Sequence, residues 1–229
     1  WPPTEPERDK LTYERVEAMT QWAVDHGKHV HGHCVFWCRE GSIQDWVKAL
    51  DDDELREEMK ERVRDLLTRF KGRIPEYDVN NEMCNHDYYK SRLGDMIRRD
   101  MFLWCKEVDP EAVLYVNESR AVGDGKTEEV EQLIDGLLAQ GAPVGGIGLQ
   151  GHFGGPKPGN YYGPGEDNVR IALDKLARRY DMPIMITEYD LNNPDEDVRA
   201  ASLRRMYTTA FANPAVVGIT MWGFWEGRH

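Results

Sequence analysis

Residues 51–82 read DDDELREEMKERVRDLLTRFKGRIPEYDVNNE, and one whole structural unit can be read from them. Leu55, Met59, Val63, Leu66, Leu67 and Phe70 recur at three- and four-residue intervals, the spacing of one helix face. The acids Asp51 to Asp53 stand ahead of this stripe as capping residues, and Gly72 follows it as a stop. The period then changes. Tyr77 to Met83 reads as a short strand, and its end, Asp78-Val79-Asn80-Asn81-Glu82, is polar. A helix that hands on to a strand is the repeat of an α/β protein.

The same unit recurs outward in both directions. Leu93, Ile97, Met101, Trp104 and Cys105 form a second stripe closed by Asp109-Pro110, and Val130, Leu133, Ile134, Leu137 and Leu138 form a third, stopped by Gly141. Weaker stripes run from Val16 to Ala23, from Val169 to Leu176, and between Val198 and Phe211. Short strand-like runs follow: His29 to Trp37, Tyr77 to Met83, Val113 to Asn117, Val144 to Gln150, Ile184 to Tyr189 and Val216 to Trp222. Such alternation predicts a parallel sheet covered by helices. No linker or low-complexity tract interrupts it, so residues 1–229 read as a single domain. A repeat of roughly 35 to 40 residues is that of a (β/α)8 TIM barrel, of which about six αβ units are present. A doubly wound sheet is the alternative, but no Gly-rich phosphate loop follows any strand.

Charge narrows the function classes. The 229 residues carry 29 Lys+Arg against 41 Asp+Glu, a net charge of −12. An acidic chain repels phosphate backbones and anionic lipid, which argues against nucleic-acid or membrane-surface binding. No apolar run is long enough to span a membrane, and the opening Trp1-Pro2-Pro3-Thr4-Glu5-Pro6 is not a signal peptide. Cys34, Cys38, Cys84 and Cys105 form no CxxC pair and read as unpaired packing residues.

Parallel barrels place their chemistry at the C-terminal ends of the strands. Those ends carry His33 and Trp37, which alternation puts on one face, then Asn81 and Glu82, Gln150 and His152, Glu188 and Asp190, and Trp222. One carboxylate at a strand end is usually a solvated loop residue. Two glutamates among histidines, a glutamine and tryptophans are a constellation. Carboxylates move protons and indole faces stack on sugar rings, so the pattern points to glycoside hydrolysis by a carboxylate pair. A metal site is the competing reading, with His31, His33, His152 and Asp190 imitating the HxH…H…D ligands of metal-dependent amidohydrolases. No strand ends in the bridging lysine such a site needs, and His31 reads more simply as a buried histidine tied to a carboxylate.

These same residues resemble family 10 glycoside hydrolases, the endo-β-1,4-xylanases, and their plant-type branch in particular. His31-Gly32-His33-Cys34-Val35-Phe36-Trp37 resembles the family's RGHTLVWH, and Asp78-Val79-Asn80-Asn81-Glu82 resembles WDVVNE. Gly146 to His152 resembles GIGLQSH, Pro183 to Asp190 resembles PIxITELD, and Gly218 to Gly223 resembles GITVWG. The resemblance implies a retaining endo-xylanase, without cofactor or metal, that acts on xylan or xylo-oligosaccharides outside the cell. It implies Glu82 as general acid/base and Glu188 as nucleophile, with Asn81 on the 2-hydroxyl of the reacting sugar. His152 would hold Glu188, with Gln150 nearby, and His33, Trp37 and Trp222 would line the sugar site. A carbohydrate-binding remnant without turnover is the alternative.

Three departures from the family pattern stand out. The histidine after the first-strand tryptophan is Cys38. The NDYN run is Asn117-Glu118-Ser119-Arg120, so the tyrosine on the leaving-group side is absent. Trp1 matches the end of the ENxMKW motif on the family's second strand, so the first two barrel strands and the last helix have no counterpart here. That leads to the expectation that the missing strands come from a complementing fragment, from a second copy, or from an N-terminal segment omitted from this sequence, with a complementing or omitted segment favoured.

Overall fold

A computed structural model of the chain describes residues 3–119, 121–122, 126–154 and 166–223. It contains two compact units, Trp1–Val116 with Ile134–Gly145, and Asn117–Leu133 with Gly146–His229. Arg120 and Trp1 lie outside the described residues.

In chain order the first unit contains α1 (Glu14–Asp25), β1 (His31–Gly32), β2 (Phe36–Trp37), a 3-10 turn (Glu40–Ser42), α2 (Asp45–Lys48), α3 (Asp52–Phe70), β3 (Glu76–Asn81), α4 (Tyr88–Leu93), α5 (Ile97–Val108) and β4 (Val113–Glu118). Residues 117 and 118 of β4 group with the second unit. α3 begins in a capping box. The Asp51 carboxylate accepts the Glu54 N–H at 2.8 Å while the Glu54 side chain accepts the Asp51 N–H. Leu55, Met59, Val63, Leu66, Leu67 and Phe70 are all buried, as their spacing predicts, and the helix packs against α5. Each such side chain contributes about 2 kcal/mol of burial. The second stripe is corrected: Gly94, at φ 84°, ends α4 after Leu93, so that stripe belongs to two helices. Phe102 is buried in α5, whereas Trp104 is only half-buried.

The single strand expected over His29 to Trp37 is in fact two. β1 and β2 both pair in parallel with β3: His31 is opposite Glu76 and Gly32 opposite Tyr77, but Phe36 is opposite Asn80. Four steps on one side therefore match three on the other, which is a bulge. The Val35 carbonyl accepts the Nε–H of Arg62 at 2.8 Å, from the buried face of α3, and the Val35 N–H donates to the Asp78 carbonyl. Gly32 is required beside this break, because a Cβ there would run into the Tyr77 ring. All six residues of β3 are buried, and alternation puts Glu76, Asp78 and Asn80 on one face of the strand, Tyr77 and Val79 on the other.

α6 (Thr127–Ala139) contributes to both units. The second unit continues with β5 (Gly146–Gly154), α7 (Glu166–Arg179), β6 (Ile184–Asn192), α8 (Glu196–Phe211) and β7 (Val216–Met221). β5, β6 and β7 are parallel neighbours. β5 starts two residues later than predicted, and both β5 and β6 run on past the predicted ends, Gln150 and Tyr189, because each supplies the ladder that extends the other. Leu149 pairs with Ile186 but Gln150 pairs with Glu188, so Thr187 is the extra residue of a bulge. Among the described residues no helix is long and apolar enough to cross a membrane.

Candidate active site

The first group of polar side chains sits at the end of β3. Trp37, opposite Asn81 in the β2–β3 register, donates its indole N–H to Glu82 Oε2 at 2.8 Å. Glu82 follows the last residue of β3 at φ 62°, in the left-handed region that non-glycine residues seldom occupy. Its side chain is 17 % exposed, and His86 brings Nε2 to 3.6 Å from the same oxygen. Asn81 is buried, and its carbonyl accepts the Cys38 thiol at 3.1 Å. The same thiol donates to the His86 carbonyl at 3.3 Å. Cys38 thus ties β2 to the chain on both sides of Glu82.

Behind this group His33 Nδ1 donates to Asp78 Oδ2 at 2.8 Å. On the other side of Asp78, His31 sets Nδ1 2.8 Å from Glu76 Oε1 and Nε2 2.9 Å from Asp78 Oδ1. The second contact is an ion pair. Burial alone would lower the His31 pKa, but Asp78 and Glu76 outweigh it and push the group up to about 10. Burial alone would likewise raise Asp78 and Glu76, yet the imidazoles hold both below the usual carboxylate range. His31 is therefore a part-buried histidine between two carboxylates, with both ring nitrogens turned to them.

The second group is carried by β4, β5 and β6. Glu188 is 4 % exposed and both of its carboxyl oxygens accept: Oε1 takes the Asn117 side-chain N–H at 2.8 Å, and Oε2 takes His152 Nε2 at 3.0 Å. Asn117 is oriented in turn, because the Thr187 hydroxyl donates to its Oδ1 at 2.6 Å. The bulge residue thus fixes the amide that holds its neighbour. His152 Nδ1 lies 3.0 Å from Asp190 Oδ1. With a carboxylate at each nitrogen, Asp190 first and Glu188 second, the His152 pKa is pushed up to about 9. Trp222 meets the His152 ring edge-on at 5.5 Å, and its backbone N–H donates to the Tyr189 carbonyl at 2.8 Å. Gln150 is buried opposite Glu188 in the register.

Trp37, Asn81 and Glu82 thus lie together, with His33 behind them on Asp78, and Gln150, His152, Glu188 and Trp222 form the second cluster. Sequence reasoning missed Asn117, Thr187 and His86. Asn117 carried a usable signal, since β4 ends in Asn117-Glu118 as the other strands end in polar residues.

Comparison with known proteins places these residues in context. The model of Glycosyl hydrolase family 10 matches residues 1–228. The chain is 40 % identical over 232 residues to Endo-1,4-beta-xylanase 1 of Arabidopsis thaliana, covering 99 % of this chain and 23 % of that protein. It is 38 % identical over 229 residues to Anti-sigma-I factor RsgI6 of Acetivibrio thermocellus, covering 100 % of this chain and 29 % of that protein. The chain thus spans less than a third of the length of either curated relative. Among solved structures, xylanase 10B from Thermotoga petrophila RKU-1 in complex with xylobiose superposes with a TM-score of 0.85 at 28 % identity, covering 98 % of this chain and 71 % of that one.

Proposed function

The chain belongs to glycosyl hydrolase family 10, its fold class that of a (β/α)8 barrel of which it supplies about six αβ units, and from that premise we propose that it hydrolyses internal β-1,4-xylosidic linkages of xylan with retention of configuration. The observation that carries this reading is the setting of Glu188, whose two oxygens accept from Asn117 and His152. A carboxylate held from both oxygens keeps one orientation for attack on an anomeric carbon. In the proposed reaction Glu188 attacks that carbon, and Glu82 gives its proton to the departing glycosidic oxygen. Glu82 then takes a proton from water, which attacks the same carbon and releases Glu188.

Trp37 supports the part given to Glu82, because its N–H fixes one carboxyl oxygen. The substrate is a xylan or xylo-oligosaccharide, with Trp222, Trp37, His33 and Asn81 lining the reacting sugar. A second reading, recognition of xylan without turnover, draws on the likeness to a relative named as an anti-sigma factor, a regulator. The two part on one experiment. Incubation with xylohexaose, followed by NMR of the freshly formed anomer, should show internal cleavage to β-configured products. Release of α-configured products would reject retention, and saturable binding without any cleavage would reject the hydrolase.

A further inference from the structure

We propose that His31 and Glu76 are positioning residues for the His33 imidazole, acting through the buried Asp78, a role that rests on the sugar-lining part given to His33 above. Four contacts run in series along β1 and β3. His29 Nε2 is 2.8 Å from Glu76 Oε1, and the same oxygen is 2.8 Å from His31 Nδ1. His31 Nε2 is 2.9 Å from Asp78 Oδ1, and Asp78 Oδ2 is 2.8 Å from His33 Nδ1. Side-chain exposure is 62 % at His29, 12 % at His31, 0 % at Asp78 and 31 % at His33. The series is closed in its middle and open at both ends. From β4, the Tyr115 hydroxyl faces Glu76 and its ring meets the His31 ring edge-on at 5.2 Å.

The charges explain what the series does. Asp78 has no solvent, and a bare carboxylate there would be too costly to keep ionised. The His31 cation beside it removes that obstacle, and Glu76 anchors the cation from its other nitrogen. An ionised Asp78 can only accept hydrogen bonds, so its Oδ2 requires the proton on His33 Nδ1. That holds a proton on His33 Nδ1 and fixes the ring plane, so in the neutral ring Nε2 is the acceptor for a sugar hydroxyl. Take away the cation and Asp78 gains a proton. It can then donate as well as accept, and His33 loses its single tautomer. The motif that this strand resembles, RGHTLVWH, carries arginine at the place of His31, which supplies the rescue variant.

The test reads the His33 ring by 15N NMR in the full chain and, beside it, KM and kcat on a xylo-oligosaccharide near neutral pH. In its neutral ring the wild-type His33 should show the Nδ1–H tautomer alone, followed by titrating the 15N signals upward from neutral pH. His31→Asn should show mixed tautomers and a KM raised about tenfold, with kcat changed less than about threefold. His31→Arg, whose cation does not titrate in this range, should restore both the tautomer and KM. An unchanged tautomer in His31→Asn, or a fall in kcat with KM unmoved, overturns the proposal. Should His31→Asn fail to fold, Glu76→Gln loosens the same cation from its other side, and an unchanged His33 signal there overturns the proposal equally. The tautomer needs no turnover, so a chain inactive on xylan would sink the hydrolase reading while the NMR still judges this one.

Discussion

His152 stands between Asp190 and Glu188, with Nδ1 3.0 Å from Asp190 Oδ1 and Nε2 3.0 Å from Glu188 Oε2. Facing two carboxylates, the ring holds both protons well above the pH at which a free imidazole gives one up. Its pKa stands at about 9 against an ordinary 6.5, with Asp190 the larger cause. Asp190→Asn should bring the His152 midpoint down towards 6.5, as followed by NMR titration. Above the midpoint the ring keeps a single proton shared between its two nitrogens, which weakens the donor to Glu188, so the alkaline limb of the kcat/KM profile should move to lower pH together with that midpoint. A midpoint that stays near 9 in this variant would show that Asp190 does not set it.

Asn117 and Thr187 test whether the other oxygen of Glu188 matters as much. Asn117→Ala removes the N–H on Oε1 and leaves a buried acceptor poorly met, so kcat should fall by about ten- to a hundredfold. Thr187→Val leaves the amide in place but removes the hydroxyl that orients it, and a smaller loss, about threefold to tenfold, is expected. Full activity in both variants on xylan would mean that one hydrogen bond, from His152, is enough to place the proposed nucleophile.

The helices of this chain were legible because their period is local. The Leu55–Phe70 face is written in side-chain spacing, and its capping box is four residues long. The polar strand ends were legible for the same reason, which is why Glu82 and Glu188 could be singled out from residue types. The breaks in the sheet were not. The bulge between β1 and β2 is accompanied by Arg62, 27 residues away on α3, catching the Val35 carbonyl. Nothing within residues 29–37 announces that. Thr187 reads as an ordinary strand residue until Gln150 pairs with Glu188. Asn117 went unassigned because the polar pair Asn117-Glu118 marks a strand end without saying which side chain it meets, and its partner lies 71 positions on.

The proposed catalytic pair separates by leaving group. Glu188→Ala removes the covalent step and should abolish turnover of every substrate, a loss of about 10⁴-fold or more. Glu82→Ala should spare the first step for aryl xylosides with good leaving groups, which need little protonation. Azide, which needs no general base, should then restore the second step and yield a β-xylosyl azide. Near-normal hydrolysis of xylan by both variants would overturn the assignment of roles.

The residues proposed to line the reacting sugar should divide between binding and rate. Trp222 is 43 % exposed and offers an indole face, so Trp222→Ala should raise KM by about tenfold through lost stacking. Asn81 is almost wholly buried beside the Cys38 thiol, and a contact from it to the 2-hydroxyl would strengthen as the transition state forms. Asn81→Ala should therefore lower kcat more than it raises KM. Small and equal changes in the two variants, measured on xylotetraose, would place neither residue against the reacting sugar.

Arg62 offers a stability test in which two effects compete. Its guanidinium is buried on the apolar face of α3, donating to the Val35 carbonyl at 2.8 Å and to the Thr4 hydroxyl at 3.1 Å. Burial is the largest influence on the group and lowers its pKa, so the position carries a desolvation cost. Arg62→Met removes that cost and keeps the helix, which alone would stabilise. It also leaves a strand-break carbonyl without its donor, and a buried unmet acceptor costs about 1–3 kcal/mol. The β1–β3 and β2–β3 registers pair Gly32 and Phe36 and leave Val35 outside both ladders, so the second effect should win, by about 2 kcal/mol in urea unfolding. Hydrogen exchange should speed up first at Val35 and Phe36, ahead of any change in α3. A variant as stable as the parent, with exchange at Val35 unaltered, would show that the break between β1 and β2 is held by β3 alone.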